Sequence, residues 1–174
     1  MMAACGIEII RPEMEEILRD DSRMERVAGG FRFVEGPVWW HEKGGLIFSD
    51  IPADRIYFLT ADGVCRVFRS PSHHANGNTV DRQGRLLTCE HGTRRVTRTT
   101  PDGTVEVIAS TYRGKRLNSP NDIAVKSDGT VWFTDPTYGI RPEMKEQPAN
   151  NLFRLDPSAE EPVPVVSDCS MPNG

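Results

Sequence analysis

Short apolar runs alternate with polar positions along most of this chain, and one arrangement of them returns three times. The first unit is Glu35-Gly36-Pro37-Val38-Trp39-Trp40, a turn at Gly44-Gly45, and Leu46-Ile47-Phe48-Ser49-Asp50. The second is Asn76-Gly77-Asn78-Thr79-Val80-Asp81, a turn at Gln83-Gly84, and Arg85-Leu86-Leu87-Thr88-Cys89-Glu90. The third is Asn121-Asp122-Ile123-Ala124-Val125, a turn at Asp128-Gly129, and Thr130-Val131-Trp132-Phe133-Thr134-Asp135. Each is a polar start, a short strand, a glycine turn, a second strand and an acidic end. Glycine suits such turns because it adopts positive φ without a steric penalty.

A second strand pair follows each unit. Arg55–Leu59 turns at Asp62-Gly63 into Val64–Phe68, and Arg95–Thr99 turns at Asp102-Gly103 into Thr104–Ile108. Asn151–Leu155 turns near Asp156-Pro157 and resumes over Val163–Val166. The polar starts fall at positions 35, 76 and 121, intervals of 41 and 45 residues, and Asn173 begins a fourth 52 residues later. Four antiparallel strands every ~40–45 residues is the period of a propeller blade. The predicted fold is therefore all-β, a partial β-propeller of about three four-stranded blades and the start of a fourth. The last interval is lengthened by a Pro-rich, charged loop over Arg141–Ala149.

The pattern changes before Phe31. Pro12 stands at a helix start, Glu13, Glu15 and Glu16 suit the first turn, and Met14, Ile17 and Leu18 share one face. A short helix over Pro12–Arg19, packed on the propeller, is expected. The domain division is then residues 1–30 as an N-terminal extension and 31–174 as the propeller part.

Propeller geometry turns the repeat starts into a candidate site. The first strand of each blade lines the central channel, so Glu35, Asn76, Asn121 and Asn173 should face one axis. One carboxylate with several amide oxygens is a hard-oxygen set, which suits calcium with its ~6–8 oxygen ligands. No histidine or thiolate holds an equivalent position, which disfavours zinc or copper. An Asn followed by Gly or Asp also reads as an Asx-turn, but four starts in register favour a shared site. Trp39, Trp40 and Trp132 lie on strands and are expected in the core.

Composition narrows the function classes. Net charge is −4, and the densest basic spot is the pair Arg94-Arg95, so there is no nucleic-acid footprint. Mean hydropathy is −0.46, no apolar run is long enough to span a membrane, and Met1–Ile10 lacks the pattern of a signal peptide. Cys5, Cys65, Cys89 and Cys169 form no CxxC pair, and reduced structural thiols in a cytoplasmic protein are expected.

Five strings carry a more specific resemblance: Phe33-Val34-Glu35-Gly36-Pro37-Val38-Trp39, the stretch Ala75–Leu86, Asn118-Ser119-Pro120-Asn121-Asp122-Ile123, the stretch Ser127–Ile140, and Met171-Pro172-Asn173-Gly174. In order and spacing the chain resembles the gluconolactonase / SMP-30 / luciferin-regenerating family from about Phe31 to its last residue. The resemblance implies a six-bladed propeller, incomplete here, with a divalent metal in its channel. The metal is most often calcium, with zinc, manganese and magnesium as alternatives. It implies metal ligation by Glu35 and Asn173, and Asn121 matches a position that binds metal or substrate. It implies hydrolysis of a sugar lactone, in which a metal polarises the carbonyl and a carboxylate activates water. The family's proposed base is an Asp of a later blade that no position here matches, so the catalytic residue is unknown unless Asp122 or Asp135 substitutes. Substrate contacts are expected from His74, Asn76, Asp122 and Tyr138. The partner is then a small lactone, with no nucleic acid or membrane, and the unclosed ends invite self-association. Two other readings stay open: a non-catalytic propeller fragment serving as a binding or regulatory module, and a hydrolase of non-sugar lactones or organophosphates.

Overall fold

The computed structural model describes residues 7, 8, 10–18 and 22–174. The chain divides into two compact units, Met1–Gly30 and Phe31–Gly174.

In the first unit the expected helix is reduced to a single 3-10 turn over Pro12–Glu16. Its N-cap, Arg11, makes no side-chain cap bond, and Ile17 is 73% exposed. Helix nucleation is costly, and three apolar residues without a cap do not offset it. Arg19 and Cys5 lie outside the described residues.

The second unit is all-β. It contains three four-stranded antiparallel sheets, each built from consecutive strands. The first is β1 (Val34–Trp40), β2 (Gly45–Asp50), β3 (Arg55–Thr60) and β4 (Cys65–Arg69). The second is β5 (Ala75–Val80), β6 (Leu86–Glu90), β7 (Arg95–Thr99) and β8 (Val105–Ala109). A two-stranded hairpin follows, β9 (Thr111–Tyr112) and β10 (Lys115–Arg116), which the sequence pattern did not reveal. Its turn uses Arg113 and Gly114, both at positive φ. The third sheet is β11 (Ile123–Val125), β12 (Val131–Asp135), β13 (Asn151–Leu155) and β14 (Val163–Val166). This up-and-down order, repeated three times, is that of a propeller fragment.

Apolar side chains between neighbouring sheets form two cores. Trp40, Ile47, Ile56, Phe58, Ala75 and Leu86 pack between the first and second sheets. Leu87, Cys89, Val96, Ile123, Phe133 and Phe153 are among those packing between the second and third. Leu86 and Leu87 adjoin on β6 and enter opposite cores, because successive side chains of a strand point to opposite faces. The middle sheet is thus buried on both sides, and β6 is buried along its whole length. Phe133 and Phe153 stack at 5.3 Å, and Tyr112 of the hairpin meets Phe153 edge-on at 5.4 Å. Burying each ring contributes ~2–3 kcal/mol.

The tryptophans do not share one environment. Trp40 is 3% exposed, whereas Trp39 is 43% exposed on the opposite face of β1, and Trp132 is half-buried. Adjacent strand residues cannot both enter one core, so the expectation of a core Trp39 is corrected. Cys89 is buried and Cys65 and Cys169 are exposed; all three are free thiols. Among the described residues no helix is long and apolar enough to cross a membrane.

Candidate functional site

The inner ends of the three sheets meet main chain to main chain. Gly36 packs so closely on the second sheet that a Cβ there would lie 2.2 Å from the Asn76 carbonyl oxygen. A Cβ on Gly77 would lie 2.6 Å from the Asn121 carbonyl oxygen and 2.5 Å from Asp122 Oδ1. One on Gly174 would meet Asp122 Oδ2 at 1.9 Å. Each start thus adjoins the next: 35–36 on 76–77, 76–77 on 121–122, and 122 on 174. Hydrogen bonds reinforce the series. Ser49 Oγ donates to the Asn76 carbonyl at 2.7 Å, Asn78 Nδ2 donates to the Gly36 carbonyl at 3.0 Å, and the Gly77 N–H donates to the Asn121 carbonyl at 2.8 Å. The β1–β2 ladder shifts register between Glu35 and Val38, and β5–β6 between Ala75 and Asn78. Such bulges re-aim side chains at functional ends of strands.

The acidic strand ends have a local task. Asp50 accepts the backbone N–H groups of Arg32 and Phe33 at 2.9 and 3.2 Å, three and two residues before Glu35. Asp135 accepts those of Asn118 and Ser119, both at 2.8 Å, three and two residues before Asn121. The same latch thus sets the approach to two starts. Arg94 grips the second approach from the other side, its Nε donating to the Leu117 and Asn118 carbonyls at 2.7 and 3.0 Å. In the second sheet the acidic end is Glu90, fully buried, and it instead pairs with Arg69 and Arg95 at 3.2 and 2.6 Å. There the approach is held by Asp54, whose Oδ1 accepts the N–H groups of Ser72 and His74.

The other expected site residues are placed as follows. Asn76 is buried, and its Nδ2 lies 3.3 Å from His91 Nε2. Burial, with the nearby His74 second, lowers the His91 pKa to about 4, so the ring is neutral near pH 7. His74 is exposed, its Nδ1 3.0 Å from the Ile51 carbonyl. Asp122 is half-buried, and its Oδ1 accepts the Ile123 N–H at 2.9 Å. Tyr138 is exposed, its hydroxyl donating to the Met171 carbonyl at 3.3 Å. Asp135 is fully buried, and desolvation raises its pKa to about 7 against its two N–H donors and the charge of Arg94. Both its oxygens serve the backbone.

Two cavities adjoin the third sheet. One of about 440 Å³ is lined by Asp122, Trp132, Leu152, Cys169, Asn173 and Gly174, beside the repeat starts. A larger one, about 630 Å³, lies away from them, and its Arg85, Arg98 and Lys126 are each paired with a carboxylate. The smaller is the one relevant to the site.

The donors at the starts fit a hard divalent cation on one observation. Asn121 Oδ1 is buried and accepts no hydrogen bond, a costly state for an amide oxygen that a cation would relieve. Glu35 is half-buried; Asn173 is exposed, its Oδ1 accepting the Gly174 N–H at 2.7 Å. Among the described residues no group of three or more His, Cys, Asp and Glu side chains is placed to hold a metal. The candidate set is one carboxylate with amide oxygens. Sequence reading missed His91, Ser49 and Asn78; Ser49 and Asn78 are polar residues inside strands, and His91 follows directly on the end of β6.

A fold of repeated antiparallel sheets whose polar starts meet at one end defines a propeller-type fragment. The model of the SMP-30/gluconolactonase/LRE-like region matches residues 33–174. The chain is 33% identical to a gluconolactonase of Zymomonas mobilis over 94% of its own length and 51% of that protein's. A structural-genomics crystal structure assigned to the gluconolactonases superposes with a TM-score of 0.88 at 38% identity, covering 95% of this chain and 59% of that one. A gluconolactonase of Xanthomonas campestris superposes with a TM-score of 0.81 at 36% identity, covering 85% and 52%. The chain belongs to the SMP-30/gluconolactonase/LRE-like family, and it spans about half the length of the curated relative it matches.

Proposed function

We propose that this chain contributes the metal-binding residues of a divalent-metal-dependent lactonase acting on sugar lactones, and that its three sheets are blades of a six-bladed propeller. The observation that carries the reading is the unpartnered, buried Oδ1 of Asn121 at the point where successive repeat starts touch. Glu35, Asn121 and Asn173 would hold the cation, calcium by the chemistry of the donors. When bound, a divalent cation supplies Lewis-acid polarisation of an ester carbonyl. Asn76, His74, Asp122 and Tyr138 would orient the lactone. One carboxylate only half-neutralises a divalent ion, so weak affinity is expected of the chain alone.

A second reading, a non-catalytic binding module, is favoured by Asp135 in particular. Its carboxylate is sealed and occupied by two backbone donors, which leaves it no water to activate.

Hydrolysis of glucono-δ-lactone by the purified chain, with calcium or manganese and then with chelator, separates the two. The expected result is weak metal binding that chelator reverses and that Glu35→Gln weakens about tenfold or more, and metal-dependent turnover would mean that another carboxylate, or a second copy of the chain, completes the site. A folded chain that binds metal or lactone but turns over none would return the binding-module reading.

A further inference from the structure

We propose that His91 is a positioning residue that fixes the side-chain amide of Asn76, so that the two residues together offer one hydrogen-bond acceptor and one donor to a hydroxyl-bearing ligand. The identity of that ligand rests on the lactone reading above; the positioning does not.

His91 is held on several sides. Its N–H donates to the His74 carbonyl at 3.2 Å, and its carbonyl accepts the Arg94 N–H at 3.2 Å. The adjoining Gly92 N–H donates to the His73 carbonyl at 2.9 Å. Both His73 and His74 adopt positive φ, so this end of β5–β6 is closed by two successive residues in a conformation uncommon outside glycine. Gly139 lies against the root of the imidazole, where a Cβ would come within 2.6 Å of His91 Cβ and 2.7 Å of Cγ. The Gly139 N–H is in turn fixed by Ser119 Oγ at 3.0 Å. The ring therefore has little room to turn, and it is 7% exposed.

The contact with Asn76 then carries chemical information. An amide N–H can donate to His91 Nε2 only if that nitrogen keeps its lone pair. The neutral ring must carry its proton on Nδ1. Neither Asn76 Oδ1 nor His91 Nδ1 has a hydrogen-bond partner among the described residues, and neither is among the sealed, unpartnered atoms. The couple thus presents an acceptor, Oδ1, and a donor, Nδ1–H. If the amide turned over, the proton would have to move to Nε2, and the pair would present a donor and an acceptor in exchanged places. Either way one of each is offered. A hydroxyl group, which both donates and accepts, can use both; a bare cation can use only one.

The imidazole nitrogen resonances of the 15N-labelled chain at neutral pH test the first half. The expected signature is an unprotonated Nε2 and a protonated Nδ1 on His91; a protonated Nε2 overturns the assignment. The second half uses gluconate as the probe in equilibrium binding without turnover. His91→Phe keeps an aromatic ring and removes the acceptor, and should weaken gluconate binding about tenfold with the fold retained by circular dichroism. His91→Gln, whose amide oxygen can accept the Asn76 N–H, should restore binding to within about threefold of the parent. A folded Phe variant that binds gluconate like the parent overturns the proposal. If the Phe variant fails to fold, weak binding by a folded Gln variant does so. If the parent chain binds no gluconate, the lactone reading fails, while the tautomer still decides the role of His91.

Discussion

Gly36→Ala should destabilise the Phe31–Gly174 unit by about 4 kcal/mol, whereas Gly63→Ala should cost only about 1 kcal/mol. Both glycines have positive φ, +58° and +87°, so both substitutions meet the left-handed penalty of ~1–2 kcal/mol. Only Gly36 also lacks space. Its new methyl group would overlap the Asn76 carbonyl oxygen at 2.2 Å, Gly77 Cα at 2.8 Å and the Asn78 nitrogen at 2.9 Å, whereas Gly63 has nothing within 4 Å. The obstacles at Gly36 are main-chain atoms of the neighbouring sheet, which cannot rotate away as a side chain could. Overpacking of this kind costs a further ~1–3 kcal/mol. At roughly 2–4 °C per kcal/mol, the two variants should melt about 10 °C apart. Equal melting temperatures would show that the repeat starts are not packed against each other.

Asp135→Asn should destabilise the chain by about 2–3 kcal/mol at pH 7 and change how stability depends on pH. The asparagine amide can accept one of the two backbone N–H groups, but its own N–H₂ then faces the other. The pH effect follows from two buried groups of opposite sign. Asp135 has a folded pKa of about 7, above its ordinary 3.8. Its favourable contribution is complete below pH 3.8 and is lost as pH rises through 7. His91 has a folded pKa of about 4, below its ordinary 6.5. Its contribution is present above pH 6.5 and is lost as pH falls through 4. Between about pH 4 and 6.5 the native state binds an extra proton at Asp135 and one fewer at His91. Each is worth roughly 3–4 kcal/mol and involves one proton, so the two slopes nearly cancel in the parent chain across that window. Asp135→Asn removes one of them and should leave stability that rises with pH across that window. Denaturant unfolding at half-unit pH steps measures this, and a variant profile parallel to the parent's would count against a perturbed Asp135.

The fold was largely legible because the strands alternate and their turns are marked. Gly44-Gly45, Asp62-Gly63, Asp102-Gly103 and Asp128-Gly129 fixed where each hairpin reverses, and the flanking strands end or begin within four residues of those turns. The hairpin of β9 and β10 escaped because each strand has two residues, too few for a period to show. The helix at Pro12 was overread because three apolar positions at helical spacing say nothing about whether the turn is capped. In the site, the polar starts and the acidic strand ends were visible as repeats. What the acidic ends do was not, because Asp50 and Asp135 act on main-chain groups 16 to 18 residues earlier in the chain, and backbone donors leave no mark in a sequence. His91 was hidden for a related reason: it follows the acidic end of the second unit, where neither sister unit has a histidine.

The glycine-lined junctions have a consequence for how such a site can vary. Where neighbouring strands are separated by peptide groups alone, the aperture they enclose is set by main-chain thickness rather than by the size of any side chain. Exchanging the residues at 35, 76, 121 or 173 would then alter the charge and number of the donors while the radius of the opening stays the same. Substituting Gly36, Gly77 or Gly174, which follow three of them, would do the opposite. Donor chemistry and aperture are thus written in alternate letters of the same dipeptides, so a lineage could retune what the site holds without rebuilding the frame that holds it.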